Sequence, residues 1–146
     1  MNEHIIHFIN KQTCASVCCV NEKEKSPYCF SCFYAFNSEE GLLYFKSSQE
    51  AHHSAILAEN ALVAGTILPD KLNVLQLKGI QFEGTILPEV HPLAQQAFVH
   101  YHKHHPIALA MSGKMWTIQL TEIKMTDNSL GFGKKIVWNR SELMEQ

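Results

Sequence analysis

Residues 41–48 read Gly-Leu-Leu-Tyr-Phe-Lys-Ser-Ser, and the chain continues as QEAHHSAILAEN through residue 60. Gly41 supplies the permissive backbone of a turn, and the apolar run that follows predicts a strand from Leu42 to Ser47. Ser47 to Glu50 fits a capping box, and Ala51 to Asn60 is rich in helix-forming residues. This segment therefore predicts a strand that passes directly into a short helix.

Two more strands are predicted before this segment. Glu3 to Gln12 has apolar residues near helical spacing and predicts a short amphipathic helix. Thr13 to Val20 and Pro27 to Phe36 have the composition of strands, and the polar run Asn21 to Ser26 separates them. Together with Leu42 to Ser47 they predict a three-stranded antiparallel meander.

The second half of the chain predicts three further strands. These are Ala61 to Leu68, a long strand from Leu72 to Leu87 bent near Gly79, and Lys114 to Lys124. His91 to His105 is helical by composition, and Pro106 breaks it, with another turn over Ile107 to Met111 as the alternative. Six antiparallel strands with short helices predict a mainly β fold, a closed or partly closed barrel, because closure removes exposed sheet edges. With no linker in the sequence, we expect residues 1–146 to form one domain.

Composition narrows the class of protein. The 146 residues are 46% apolar and 18% charged, which is typical of a folded globular chain. Twelve basic residues against 14 acidic residues give a net charge of -2, which argues against nucleic acid as a partner. The sequence has no apolar run of membrane-spanning length and no secretory leader, so we expect a cytoplasmic protein without membrane partners. The five cysteines, an odd number, predict reduced thiols.

The order of these elements resembles the split-barrel family of pyridoxamine 5'-phosphate oxidase-like, FMN-binding proteins. The resemblance covers nearly the whole chain, and beside residues 41–60 it is carried by Val63 to Ile67 and Gly79 to Gly84. The tail from Thr126 to Lys135, followed by Trp138, is similar to the bacterial YhbP-type subgroup.

The resemblance implies a homodimer with FMN in a cleft between the subunits. The FMN phosphate is expected near the turn from the third strand into the short helix. The ring is expected against the strand that contains Cys29 and Cys32. The cofactor-binding residues that follow from it are Cys29, Phe30, Ser31, Cys32, Lys46, Ser47, Ser48, His52 and His53.

The proposed phosphate end has a physical basis in the helix start. Free backbone N–H groups and a partial positive charge favour an anion there, with the hydroxyls of Ser47 and Ser48 as further donors and Lys46 as a counter-charge. The alternative is that Ser47 merely caps the helix. Family members usually have Arg and Lys where this chain has His52 and His53, which predicts phosphate affinity that depends on pH.

No metal site is predicted, although two patterns resemble one. Cys29 and Cys32 form a C-x-x-C, but residues three apart on a strand point to opposite faces and cannot chelate together. His100 and His104 share a helix face, yet no Asp, Glu or Cys lies nearby, and the helix dipole favours histidines in a last turn. We therefore interpret the cysteines as small core or wall residues and the histidines as terminal helix residues.

The sequence lacks a nucleophile elbow, a P-loop and a dinucleotide-binding fingerprint, so no catalytic residue is predicted. Our leading hypothesis is an FMN-dependent oxidoreductase acting on an unknown small molecule, with haem or a deazaflavin as less favoured cofactors. One alternative is a non-enzymatic flavin or haem binder. The other is a dimeric barrel module without a cofactor. The glycine-rich turn Gly131 to Lys135 is expected either to approach the ligand or partner or to be an exposed turn.

Overall fold

Eight strands form one antiparallel sheet in the computed structural model, which describes residues 1–144. The strands are β1 Cys14–Asn21, β2 Ser26–Phe33, β3 Ala35–Asn37, β4 Leu42–Ser47, β5 Leu62–Ile67, β6 Lys78–Ile86, β7 Lys114–Asp127 and β8 Lys135–Asn139. The helices are α1 Glu3–Lys11, α2 His52–Glu59, α3 Ala97–His104 and α4 Ser141–Met144. Within residues 1–144, no helix is long and apolar enough to cross a membrane.

The sheet curls into a half-barrel whose two ends do not pair with each other. Its strand order is β2-β1-β5-β6-β7-β4-β3, with β8 added to β7. The two ends of this order, β2 and β3, are consecutive in the chain and are separated only by Tyr34. Because β2 pairs with β1 while β3 pairs with β4, a gap remains between β2 and β4. We call this gap the split.

Strand β4 is buried on both faces, which explains its continuous apolar run. Leu43 and Phe45 point into the main core of the barrel. Leu42 and Tyr44 point outward and pack with Tyr101 of α3 in a second, smaller cluster. A strand covered on both faces does not need to alternate between apolar and polar residues.

The prediction of a mainly β split barrel is confirmed, but the strand count of six is too low. The predicted strand Pro27 to Phe36 is two strands, because the chain changes pairing partner at Tyr34. Strand β8 was missed, although it pairs with β7 through residues such as Trp138.

The long strand predicted from Leu72 to Leu87 is wrong in its first part. Strand β6 begins only at Lys78, and residues 72–77 form a loop whose apolar side chains are exposed. The register shift lies between Glu83 and Gly84 rather than near Gly79. The alternation of Leu75, Leu77, Ile80 and Phe82 predicted one long strand, but no neighbouring strand pairs with residues 72–77.

The predicted capping box is also wrong. Helix α2 begins at His52, its N-cap residue is Ala51, and no side chain caps it. The Ser48 hydroxyl instead accepts a hydrogen bond from the Glu50 backbone N–H at 3.2 Å, within a turn that precedes the helix. The single helix predicted from His91 to His105 is wrong as well. This segment forms a 3-10 turn, Pro92–Ala94, followed by the shorter helix α3.

The prediction of reduced thiols is wrong for one pair of cysteines. Cys18 and Cys29 lie directly opposite each other on β1 and β2, with Cα atoms 4.3 Å apart, and form a disulfide. Cys14, Cys19 and Cys32 are free. The register between the two strands determines which cysteine lies opposite Cys29. The spacing of cysteines in the sequence does not specify that register.

Candidate functional site at the split between β2 and β4

A cavity of about 620 Å³ opens at the split, a volume within the range of about 300–1,000 Å³ that is usual for small-molecule sites. In β3 and β4, Ala35 is paired with Tyr44, so the same register continued by two residues would place Phe33 opposite Lys46. The two strands separate here instead, and both residues line the cavity. The other lining residues are Thr13, Ser47, Ser48, Tyr101, His104, His105, Pro106, Ile107, Ala108, Met111 and Ser112.

The edge of β2 that faces the split has no strand partner among the described residues. The Tyr34 N–H donates to the Thr13 carbonyl at 3.3 Å. In an antiparallel pair, every second residue of a strand directs its backbone N–H and C=O to the partner strand, and the residues between direct theirs to the other side. By this alternation, the backbone groups of Cys29, Ser31 and Phe33 point away from β1 and toward the split. They are therefore available to a ligand.

Ser47 links the cavity to the start of α2. Its hydroxyl lies 2.6 Å from Nε2 of His53, and the His53 ring stacks on Phe30 with centroids 3.7 Å apart. Burial, and then the neighbouring His52, lower the pKa of His53 below its usual value. The neutral imidazole is thus favoured while no anion is bound.

Lys46 is held by the loop that closes the other side of the cavity. Its ammonium group donates to the carbonyls of Ala108 and Met111 at 2.8 and 2.6 Å and lies 3.0 Å from Nε2 of His102. These three partners account for the three N–H donors of the lysine. In this arrangement Lys46 anchors the loop 106–112 to β4.

The first turn of α2 presents open backbone donors. The N–H groups of His52 and His53 have no backbone or side-chain acceptor within the part of the chain that the structure describes. Ser54, the next residue, donates its hydroxyl to the Ser48 carbonyl at 2.6 Å and so fixes the turn that leads into the helix. His52 packs edge-on against Tyr28 of β2.

The structure brings only some of the predicted site residues to the cavity. Lys46, Ser47 and Ser48 line it, whereas His53 contacts Ser47 from behind and Phe30 stacks on His53. The remaining predicted residues contribute no side chain to its lining; these are Cys29, Ser31, Cys32 and His52.

The two cysteines of the C-x-x-C are indeed separated, as the strand alternation predicts. Cys29 is bonded to Cys18, while burial, and then the nearby Cys14, raise the pKa of Cys32 to about 12. The Cys32 thiol is therefore protonated at neutral pH and is a poor nucleophile or metal ligand.

Sequence reasoning missed the wall of the cavity that follows α3. Tyr101, Ile107 and Met111 belong to this wall, and Ile107 and Met111 are largely exposed. Pro106, which ends the helix, was the available signal for a loop here, but its position over β4 depends on the Lys46 contacts.

His100 and His104 do share one face of α3. Their rings stack with centroids 5.2 Å apart, and ring nitrogens lie 3.1 Å from the carbonyls of Phe36 and His100, respectively. Burial, and then the neighbouring His104, lower the pKa of His100. In residues 1–144 the structure has no group of three or more His, Cys, Asp or Glu placed to hold a metal ion.

The tail contributes packing rather than cavity walls. Trp138 and Trp116 are buried in the main core, as expected for aromatic residues on strands. The turn Gly131 to Lys135 is exposed, and Phe132 at its tip is 99% exposed. Within this protomer the turn is therefore exposed and does not approach the cavity.

Comparison with known proteins decides the family. No family model matches the chain. The UPF0306 protein of Photorhabdus laumondii is 36% identical over 140 residues, which is 95% of this chain and 96% of the relative. The chain belongs to the UPF0306 family. Its member YhbP of Escherichia fergusonii is 35% identical over 145 residues, 97% of this chain and 95% of the relative, so the predicted YhbP-type subgroup is confirmed.

Solved structures with low sequence identity share the UPF0306 fold. A heme binding protein of Mycobacterium smegmatis has a TM-score of 0.75 at 13% identity over 93% of this chain, which spans 56% of that protein. A FAD-binding protein of Mesorhizobium loti has a TM-score of 0.64 at 13% identity, covering 84% and 92% of the two chains. A Clostridium acetobutylicum protein of the pyridoxinephosphate oxidase family has a TM-score of 0.66 at 11% identity, covering 96% and 94%. The predicted split-barrel fold is thereby confirmed.

Proposed function

We propose that this UPF0306 protein is an FMN-binding oxidoreductase that works as a homodimer. The observation that carries the proposal is the split itself, where a cavity of about 620 Å³ lies between an unpaired strand edge and the Ser47 to Ser48 turn. The substrate is an unknown small molecule.

The phosphate of FMN would occupy the end of the cavity next to α2. The hydroxyls of Ser47 and Ser48 and the open N–H groups of His52 and His53 are all donors, and the partial positive charge of a helix start favours an anion. His53 becomes a charged donor when it takes up a proton. Lys46 contributes indirectly in this proposal, because its ammonium group is already satisfied by the loop 106–112.

The ring of FMN would lie against the apolar part of the cavity. Phe33, Tyr101, Ile107 and Met111 provide this surface. The backbone groups on the free edge of β2 would bind the polar edge of the ring. The Mesorhizobium loti protein of the same fold is named a FAD-binding protein, which supports a flavin at this fold.

A second protomer would cover the apolar residues that one protomer leaves exposed. Val74, Val90, Ile107 and Phe132 are each at least 85% exposed, and Phe33 at the cavity is 58% exposed. Such side chains mark an interaction site where they form one contiguous patch.

If the proposal holds, the chemistry is shared between cofactor and protein. FMN supplies hydride and electron transfer when bound. The chain holds the phosphate at Ser47 and Ser48, orients the ring along β2, and limits water through the loop that Lys46 anchors. No side chain of the site is needed as a catalytic acid or base.

The test is purification followed by a visible spectrum, mass identification of any released cofactor, and light scattering for the assembly state. We expect a yellow dimer that releases FMN. We also expect a nicotinamide cofactor to reduce the bound flavin with turnover. A yellow protein without turnover would support a non-enzymatic flavin binder. A colourless protein that binds no added flavin would favour a barrel module without a cofactor.

Haem is a second candidate because two histidines line the same cavity. His105 Nε2 lies 2.6 Å from the Tyr34 carbonyl, but His104 uses only Nδ1, leaving its Nε2 as a possible axial ligand. The Mycobacterium smegmatis protein of this fold is named a heme binding protein. A Soret band that appears on hemin titration and is lost in His104→Ala would support haem over FMN.

A further inference from the structure

A second cavity lies between α1 and the loop that leads into β6. Its volume is about 560 Å³, and it shares no lining residue with the cavity at the split. The loop wall comes from residues between Pro69 and Lys78, and the floor includes Met125 and Asp127 at the end of β7. None of these residues belongs to the function proposed above.

Basic side chains converge on this cavity from two elements. His4, His7 and Lys11 are spaced by three and four residues on α1, so they share the helix face opposite to the buried Ile5 and Ile9. Lys71 and Lys78 face them across the cavity. The lysines of the lining, Lys11, Lys71 and Lys78, outnumber its carboxylates, Asp70 and Asp127.

The two carboxylates of the cavity are already committed to partners. Asp70 accepts from the backbone N–H and the hydroxyl of Thr13 at 3.0 and 2.6 Å. Asp127 accepts from the N–H and hydroxyl of Ser129 at 2.9 and 2.6 Å, and its other oxygen lies 3.7 Å from the ammonium of Lys78. Burial alone would raise the pKa of Asp127, but the Ser129 hydrogen bonds and the Lys78 charge lower it overall.

Two side-chain amides of the cavity use their oxygens as internal acceptors, which leaves their N–H donors open. The side-chain oxygen of Gln12 accepts from the Asp70 N–H at 2.7 Å, and that of Asn73 accepts from the Leu75 N–H at 3.0 Å. Their amide NH₂ groups, and the ammonium groups of Lys11 and Lys71, have no acceptor within the described part of the chain. Open ammonium and amide N–H donors are complementary to an anion.

We propose that this cavity is a binding site for a small multivalent oxyanion, a phosphate ester or a polycarboxylate. Lys11 and Lys71 provide the charge from opposite walls, and His7, Gln12 and Asn73 provide directional N–H donors. The volume exceeds that of a single phosphate group, so the ligand carries further atoms. The site is independent of the flavin proposal, because the two cavities use different residues.

Isothermal titration at low ionic strength tests the proposal, with pyrophosphate and citrate as probes in separate arms. We expect saturable binding of at least one probe at one site per chain. Tighter binding of pyrophosphate would identify the phosphate class, and tighter binding of citrate would identify the polycarboxylate class. Absence of saturable binding in both arms would overturn the proposal.

Three variants locate the bound anion. Lys11→Gln and Lys71→Gln should each weaken binding at least about fivefold, because each removes a charge-assisted hydrogen bond. The matched control Lys23→Gln removes the same charge from an exposed lysine that pairs with Glu59 on another surface, and should change the affinity by less than about twofold. Equal effects of all three would show general charge attraction and overturn the site.

Ser47→Ala separates this site from the split. It should leave the pyrophosphate affinity within about twofold of the parent protein, since Ser47 is absent from the cavity lining. A large loss of affinity in Ser47→Ala would place the anion at the split and overturn the proposal. The lysines substituted here are exposed, so the variants are expected to fold, and their thermal melting checks this.

Discussion

The imidazole of His53 lies face to face with the ring of Phe30, with ring centroids 3.7 Å apart and planes inclined by 11°. This stack joins the first turn of α2 to β2 across the barrel wall, on the side where β2 and β4 do not pair. It also fixes the direction in which His53 reaches Ser47. The imidazole that contacts Ser47 in the proposed phosphate site is thereby held by an aromatic neighbour.

The His53 pKa makes the proposed FMN site sensitive to pH. Because burial, and then His52, lower this pKa, the free protein has a neutral His53 at pH 7, and a phosphate bound beside it would favour proton uptake. FMN affinity should therefore rise as the pH is lowered, by about fivefold between pH 8 and pH 5.5, the gain from one charge-assisted hydrogen bond. Fluorescence titration measures the affinity.

Riboflavin is the control for this prediction, because it has the same ring and no phosphate. Its affinity should change little over the same pH range. In His53→Gln the rise in FMN affinity at low pH should disappear. An FMN affinity that is independent of pH in the parent protein would remove His53 from contact with the phosphate.

Lys46 is expected to act through the loop that it anchors. Replacing it in Lys46→Met removes the hydrogen bonds to the Ala108 and Met111 carbonyls. Hydrogen exchange in residues 106–112 should become at least about tenfold faster, since each charged hydrogen bond contributes about 1.5–3 kcal/mol. Mass spectrometry of the exchanged protein gives the rates. Weakened FMN binding with unchanged loop exchange would instead indicate a direct contact between Lys46 and phosphate.

Gly41 and Gly133 allow backbone strain to be separated from packing. Both have positive φ, 67° and 69°, but a Cβ on Gly41 would lie 2.7 Å from a guanidinium nitrogen of Arg140, whereas nothing lies within 4 Å at Gly133. Gly133→Ala should lower the free energy of unfolding by about 1 kcal/mol, the cost of a left-handed residue. Gly41→Ala should lower it by about 3 kcal/mol, because the clash adds to that cost.

Urea denaturation of both variants checks this difference. The clash would also displace Arg140, whose guanidinium donates to the carbonyls of Leu120, Glu40 and Gly41. Equal losses of stability in the two variants would mean that Arg140 moves away without cost.

The disulfide between Cys18 and Cys29 predicts a definite number of reactive thiols. Unfolded protein without reductant should expose three of its five cysteines, Cys14, Cys19 and Cys32, to a thiol reagent. Reduction should lower the free energy of unfolding by about 2–3 kcal/mol, since the bond closes a short loop across a sequence separation of 11. Cys14→Ser, at an exposed free thiol, should leave stability within about 0.5 kcal/mol. Five reactive thiols before reduction would contradict the disulfide.

Much of the fold follows from local patterns in the sequence. The strand segments before α2, the helix after β4 and the strand β7 were predicted, because short-range spacing and turn residues specify them. The predicted three-stranded meander is wrong, because β2 pairs with β1 and not with β4. Errors occurred where a distant partner decides the outcome. Residues 72–77 alternate like a strand but have nothing to pair with, and Pro27 to Phe36 reads as one strand although its two halves pair with different neighbours.

For the candidate site, the sequence by itself determined the serine-rich turn after β4, the histidines that follow it and the proline that ends α3, because each is a local feature of residue type and spacing. Tertiary structure alone decided that β2 and β4 separate, that Lys46 binds the loop 106–112, and that Cys18 meets Cys29. The reason is physical: strand register and closure of the sheet are set by contacts between residues far apart in the chain, and a local pattern carries no information about which distant residue will be opposite.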